Sequence, residues 1–350
     1  MKTIVKTRPE PGIEVLERAM PEPGDNEVLI KLQAGSLCGS DLHMYHWELP
    51  DIAPFINFPV AIGHEFSGQV AKTGKNVDHL AEGDYVTSIP GWACGVCANC
   101  RTGRSEFCLD RKHPGMFLSD GFFQEYFCLP TSAHISKVPE KPDIEAFALT
   151  EPLSVSLGAV EAAAPKIGCK AAVLGPGPIG LLILQLLKLV SPDLLMMTGT
   201  SDDAARLEMA GKMGADVVVD VSREDPVNKA ASLAGDPLGG DLDLVFEASG
   251  HPAAIDQGLK MLKPGGTLII VAIHSKPAEI DTFSLVLGKK KIQGVFGFEL
   301  EQWEKAVGLI ASGRVDTAAL ITHRIPISEA QQGFQLAEQK ETVKVIFTPE

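Results

Sequence analysis

In the middle of the chain, short apolar runs alternate with stretches whose apolar residues recur at helical spacing. Ala171 to Leu174 reads as a buried strand, and the apolar pattern after Gly180 reads as a helix. Leu194 to Thr198, Asp216 to Val219, Leu242 to Glu247 and Thr267 to Ile273 read as further buried strands. Between them, Asp202 to Met213 predicts a helix stopped by Gly214, and Pro252 to Leu262 one stopped by Lys263-Pro264-Gly265-Gly266. Strands alternating with helices predict βα units and a doubly wound parallel sheet. Up to about Leu153 the pattern is different, with short strands and frequent turns, and predicts a β-rich domain. The ending Val343 to Pro349 again reads as a strand. No internal repeat or low-complexity tract interrupts this order.

Composition narrows the picture. At 350 residues, 45% hydrophobic and 22% charged, the chain has material for two or three domains with sizeable cores. A formal net charge of -14 repels phosphate backbones, so nucleic acid is not an expected partner. The opening residues, MKTIVKTRPEPG, have no apolar core of signal-peptide length. The longest mainly apolar run, Gly180 to Val190, falls well short of the roughly 20 residues of a membrane helix. A cytoplasmic protein is expected, away from membranes, with its thiols reduced.

That expectation sharpens the stretch WACGVCANCRTGRSEFC, which holds Cys94, Cys97, Cys100 and Cys108 in the pattern C-x2-C-x2-C-x7-C. Four thiolates at this spacing can surround one tetrahedral zinc and leave no open coordination position, so such a metal holds structure. A redox C-x2-C pair opens a helix after a strand; here Gly91, Gly95 and Gly103 predict a loop. A second constellation is spread out: Cys38 and His43 in SLCGSDLHMYHW, His64 and Glu65 in AIGHEFSG, and Glu151 in LTEPLSVS. Singly, each has an ordinary reading as a buried thiol, a satisfied histidine or a strand-edge carboxylate. Together they offer the mixed, open shell that a catalytic zinc requires.

Taken in order, Cys38-Gly-Ser-Asp-x-His43, Gly63-His64-Glu65 and the four-cysteine lobe resemble the zinc-dependent medium-chain dehydrogenase/reductase superfamily, over essentially the whole chain. The resemblance implies that Cys38 and His64 bind a catalytic zinc, with Asp41 orienting the His64 ring. It implies that Ser40 bonds the reacting hydroxyl and that His43 passes its proton outward. Glu151 stands where liver-type alcohol dehydrogenases carry a further cysteine. That departure points to the sorbitol (polyol) and L-threonine dehydrogenase branch, in which Glu65 also lies at the metal. Which of the two glutamates binds the resting zinc is left open.

Gly175-x-Gly177-Pro178-Ile179-Gly180 sits between the first strand and its helix, the context in which this motif binds a dinucleotide. The acidic residue that usually holds the NAD ribose is replaced by Ser201 in a comparison with the family. Small hydroxyls and Arg206 suit a 2′-phosphate, whereas Asp202 and Asp203 could reach a ribose or cap the next helix. NAD and NADP therefore both stay open. By resemblance, Ser249, Gly250, Val271 and Ile273 line the cofactor groove, and residues 294–297 return the chain to the first domain.

The fold implied is α/β plus β. A GroES-like, partly open β-barrel (1–153) would carry both zincs, a Rossmann domain (154–296) the cofactor, and a C-terminal segment (297–350) would rejoin the barrel, with the active site between domains. The implied activity is hydride transfer between a secondary alcohol (polyol, sugar alcohol, diol or L-threonine) and NAD(P), giving a ketone, in a homo-oligomer, tetramer or dimer. Two other readings compete: a non-catalytic zinc-stabilised NAD(P) sensor, and a metal-free quinone-reductase-like enzyme. Cys38, His64 and the lobe argue against the second.

Overall fold

The computed structural model of the chain describes residues 1–48, 54–104, 107–115, 119–140, 143–234, 240–274 and 276–350. They form two compact units, Met1–Glu151 with Val307–Glu350, and Pro152–Ala306. Among the described residues no helix is long and apolar enough to cross a membrane.

The first unit begins with strands β1 (Lys2–Lys6), β2 (Glu14–Glu17) and β3 (Glu27–Ser36) and helix α1 (Gly39–His46). Strands β4 (Val60–Ala61), β5 (Glu65–Thr73) and β6 (Tyr85–Ser88), helix α2 (Ala98–Arg101), and strands β7 (Tyr126–Pro130) and β8 (Ile135–Lys137) follow. Helix α3 (Thr150–Ala163) starts in the first unit and leads into the second, which runs β9 (Lys170–Leu174), α4 (Pro178–Lys188), β10 (Leu194–Gly199), α5 (Ala204–Lys212), β11 (Val217–Asp220) and α6 (Pro226–Ala234). The second unit continues with β12 (Leu242–Glu247), α7 (Pro252–Met261), β13 (Leu262–Ile270), α8 (Thr282–Leu287) and β14 (Lys291–Gly294), and α9 (Leu300–Ala311) leads from it back into the first unit. Strand β15 (Ile321–Pro326), helix α10 (Ala330–Ala337) and strand β16 (Lys344–Thr348) complete the first unit.

The second unit is the doubly wound sheet expected from the pattern. Its strands run in the order β11-β10-β9-β12-β13-β14, and the pairs are parallel. Counted along the chain this is 3-2-1-4-5-6, the dinucleotide-binding order. The apolar runs supply the reason: Ala172, Leu174, Met196, Val245 and Leu268 share one core. Each large side chain buried this way contributes about 1.5–3 kcal/mol.

Four local expectations change. Strand β13 starts at Leu262, directly after α7, because a register shift between the Leu242 and Leu244 pairings absorbs the Lys263–Gly266 segment that reads as a turn. The same strand ends at Ile270, not Ile273, because the Glu247 carbonyl already accepts from the N–H groups of Val271 and Ala272, at 3.0 and 3.2 Å. Helix α5 starts at Ala204 after a 3-10 turn, since Asp203 is taken up capping Thr200. Residues 297–306, read as part of the returning segment, cluster with the second unit. Buried Trp303 stacks on Phe298, while Gln302 and Lys305 reach Glu161 of α3.

The first unit holds a three-stranded sheet, β2-β1-β4, and a larger one ordered β15-β16-β3-β5-β6-β8, with β7 also paired to β3. Phe66, Phe122 and Phe127 pack ring against ring in its core. The register at one end of the larger sheet brings distant segments together. Ser36, at the end of β3, pairs on one side with Glu65 of β5 and on the other with Ile346 of β16. The end of β3 therefore lies between the start of β5 and the middle of β16.

Candidate functional site

Cys38 follows β3 by two residues and is the N-cap of α1. His64 precedes β5 by one residue. The Ser36–Glu65 pairing brings the two segments side by side, and one donor atom each from Cys38, His64 and Glu65 lie within 4.8 Å of one another. The approach needs Gly63, which has φ +92°; a Cβ there would stand 2.3 Å from the Phe123 ring.

Asp41 ties this corner together. Its Oδ2 accepts from the Cys38 backbone N–H at 2.9 Å, and its Oδ1 stands 3.6 Å from His64 Nδ1. Burial pulls the His64 pKa down, but the negative charge and close approach of Asp41, with Cys38, raise it well above the usual histidine value. At that distance the buried His64 Nδ1 makes no hydrogen bond. A thiol, an imidazole and a carboxylate with donor atoms this close make a set that fits a zinc ion.

Glu151, the second residue of α3, falls outside that trio. Burial pushes its carboxyl up to about 7; His64 opposes the shift and Glu65 reinforces it. Ser40 and His43 lie three residues apart on α1, so they share a face, with Ser40 half-buried and His43 exposed. His43 Nδ1 stands 2.5 Å from Glu48 Oε2.

The sequence reading missed Lys344. This β16 residue is 3% exposed, and its ammonium donates to both oxygens of Glu65, at 3.0 and 2.7 Å, and to the Leu37 carbonyl at 3.0 Å. Burial works against the charge, yet Glu65, Cys38 and Glu151 hold the Lys344 pKa above its ordinary value. The signal was present: a lone charge inside the apolar run VKVIF.

The four lobe cysteines also converge, with donor atoms within 4.8 Å. Their Sγ–Sγ separations include 3.4, 3.9 and 3.9 Å. A tetrahedral site with Zn–S bonds of about 2.3 Å has edges of about 3.8 Å, so the cluster fits one ion. A disulfide needs about 2.05 Å. Paired bonds between Trp92 and Lys112 close the base of the lobe, and N–H groups of Cys94 and Cys97 point at the sulfurs of Cys108 and Cys94. The lobe is not all loop: Cys97 caps the short helix α2. The strand before it, β6, ends at Ser88, well short of that helix.

In the second unit, Gly175, Gly177 and Gly180 sit at the β9–α4 turn. A Cβ on Gly175 would stand 2.7 Å from Ser249 Cα, and one on Gly180 2.0 Å from the Gly175 carbonyl oxygen. Gly177 faces open space, where a pyrophosphate can approach the backbone. Gly177 caps α4, Pro178 and Ile179 open it, and the free N–H groups of that end suit an anion.

At the far end of β10, exposed Ser201 donates to Asp220 Oδ2 at 2.5 Å, so the next strand supplies a carboxylate where β10 has none. Asp203 is the cap, and Arg206 stands 3.6 Å from it. Ser249 and Gly250 are held by a second residue that the sequence reading passed over. Buried Glu247 accepts from Ser249 N and Oγ, from Gly250 N and from His274. Val271 is half-buried, whereas Ile273 is 77% exposed.

Known proteins are similar to this chain over its whole length. Residues 24–140 match the family described as alcohol dehydrogenase GroES-like domain, and residues 178–312 that described as zinc-binding dehydrogenase. The chain is 36% identical to an L-threonine 3-dehydrogenase of Bacillus velezensis, over 100% of this chain and 99% of that one. A zinc-binding dehydrogenase of Sinorhizobium meliloti, solved with NADP, superposes with a TM-score of 0.88 at 30% identity, covering 99% of each chain. The 2R,3R-butanediol dehydrogenase of Bacillus subtilis superposes with a TM-score of 0.87 at 29% identity, covering 100% of this chain and 99% of that one.

Proposed function

Because the chain belongs to the zinc-dependent medium-chain dehydrogenase/reductase superfamily, as a zinc-containing, NAD(P)-dependent alcohol dehydrogenase, we propose that it oxidises L-threonine at its 3-hydroxyl to the ketone. The observation that carries the site is the convergence of Cys38, His64 and Glu65, with Ser40 following Cys38 by two residues on α1. Full-length similarity to an L-threonine 3-dehydrogenase supports this substrate over the diols, to whose enzyme the likeness is lower.

Cys38 and His64, with Glu65 or Glu151, hold the catalytic zinc; Cys94, Cys97, Cys100 and Cys108 hold the structural one. When bound, the catalytic ion supplies Lewis-acid polarisation of the alcohol oxygen and NAD(P) supplies the hydride acceptor. The protein's own groups do the rest. Asp41 fixes the His64 ring while capping the turn that presents Cys38. Ser40 binds the substrate hydroxyl and His43 receives its proton. The Glu48 carboxylate fixes one His43 nitrogen, leaving the other to serve the relay. Gly175, Gly177, Pro178, Ile179 and Gly180 cradle the pyrophosphate, with Ser249 and Val271 beside it. Ser201 and Arg206, with Asp220, make up the region that decides between NAD and NADP.

We also infer a cytoplasmic homo-oligomer without nucleic-acid or membrane partners. The net charge of -14 supports the first exclusion. Strand β14 supports the assembly: it is a sheet edge with four exposed residues, beside Phe283, Val286 and Leu287 of α8, each more than 70% exposed. Such an edge needs covering.

The deciding assay follows nicotinamide reduction with NAD and NADP separately. L-threonine, 2,3-butanediol, sorbitol, xylitol and galactitol are the substrates, with and without a chelator. Chelator-sensitive turnover that favours L-threonine is expected. Turnover on a diol or polyol with none on L-threonine refutes the substrate assignment.

A further inference from the structure

Lys344 is a buried charge that the reaction leaves without a task. Its three ammonium protons have three acceptors: Glu65 Oε1, Glu65 Oε2 and the Leu37 carbonyl. Leu37 is the residue before Cys38, and its own N–H donates to Val345 next to Lys344. The lysine thus fastens the start of β16 to the two segments that carry the donor trio. Glu65 is fully buried, and both of its oxygens face the ammonium. A buried carboxylate that loses such a partner must find another positive charge or take up a proton.

We propose that Lys344 is a positioning residue of the metal site: by engaging both oxygens of Glu65 it restrains that carboxylate beside Cys38 and His64 and keeps a coordination position open for substrate. This rests on the assignment of Cys38 and His64 to a metal. Glu65 stands beside Cys38 and His64, and Glu151, outside that trio, interacts electrostatically with His64 and Glu65; a zinc whose shell is closed by both carboxylates has no room for an alcohol oxygen. The lysine also compensates negative charge from Glu65, Cys38 and Glu151. Without it, Glu65 is driven toward the metal.

The test uses the full-length protein loaded with cobalt, whose visible bands report coordination number, together with the rate of zinc loss to a chromophoric chelator. Lys344→Met is expected to change the cobalt bands of the Cys38–His64 site. It is also expected to slow zinc loss and to lower kcat by about 10–100-fold, the usual scale for residues that orient metal ligands. Lys344→Arg, which keeps the charge, is expected to restore the wild-type bands.

Since Lys344→Met leaves a buried carboxylate unpaired, the same change is also made in Glu65→Gln. In that background the lysine has nothing to restrain, and the double variant is expected to match Glu65→Gln in bands and zinc loss. Lys344→Met with wild-type bands and wild-type zinc loss overturns the inference. So does a further band shift on adding Lys344→Met to Glu65→Gln. A wild-type chain that takes up metal only at the four cysteines overturns the metal assignment itself, a result visible before any variant is made.

Discussion

The two cysteine-bearing clusters of the first unit are built in opposite ways. The lobe draws Cys94, Cys97, Cys100 and Cys108 from fifteen consecutive residues, closed at the base by the Trp92–Lys112 pair. The other cluster takes Cys38 from the end of one strand and His64 and Glu65 from the start of its neighbour, and Lys344 comes from the far end of the chain. Four thiolates saturate a zinc; one thiolate, one imidazole and a tethered carboxylate do not. A local site can be closed by a loop. An open one must be held open by groups that do not bind the metal, and tertiary pairing supplies those groups.

The sharpest way to break this contrast is to remove one ligand from each cluster. Cys38→Ala or His64→Ala is expected to bring turnover to background while metal content falls from two ions per chain to one and the fold persists. Normal turnover in either variant would sink the catalytic assignment. Cys100→Ala is also expected to cost one ion, but here the loss is structural: thermal unfolding should fall by about 5–10 °C, because bound metal and local folding are coupled. Unchanged metal content and melting temperature would contradict a closed lobe site.

Smaller changes sharpen the contrast. Asp41→Asn keeps an oxygen for the Cys38 N–H but loses the charge facing His64. A fall of about 10–100-fold in zinc affinity or kcat is expected, measured by chelator competition and steady-state rates. The smallest effect is a pH slope. Burial raises the Glu151 carboxyl from 4.5 to about 7, so the folded protein holds that proton more tightly than the unfolded chain. In chelator-treated protein this contribution to stability is present below pH 4.5 and is lost as pH rises toward 7. Urea unfolding at pH 5 and pH 8 should therefore show wild type losing stability relative to Glu151→Gln. Parallel behaviour would mean that the carboxyl is not held in its neutral form.

Much of this was legible from residue order alone. The βα alternation and the glycine turn depend on neighbours in sequence, and so does the lobe, whose ligands are bound to meet by a short chain. The ends of elements were less legible. Strand β13 stops at Ile270 because the Glu247 carbonyl, on another strand, takes the next two N–H groups. Asp203 serves as a cap because Thr200 N and Oγ donate to it.

Residue order alone settles the inventory: which side chains can bind a metal, where a dinucleotide's phosphates meet a helix, and that two folding patterns share one chain. Tertiary structure decided their company. Ser36 pairs with both Glu65 and Ile346, and that register alone sets Lys344 against Glu65 across 279 residues. A one-residue slip in either pairing would turn these side chains to opposite faces of the sheet. Local pattern could mark Lys344 as a charge in an apolar strand; only the packed sheet could say which carboxylate it neutralises.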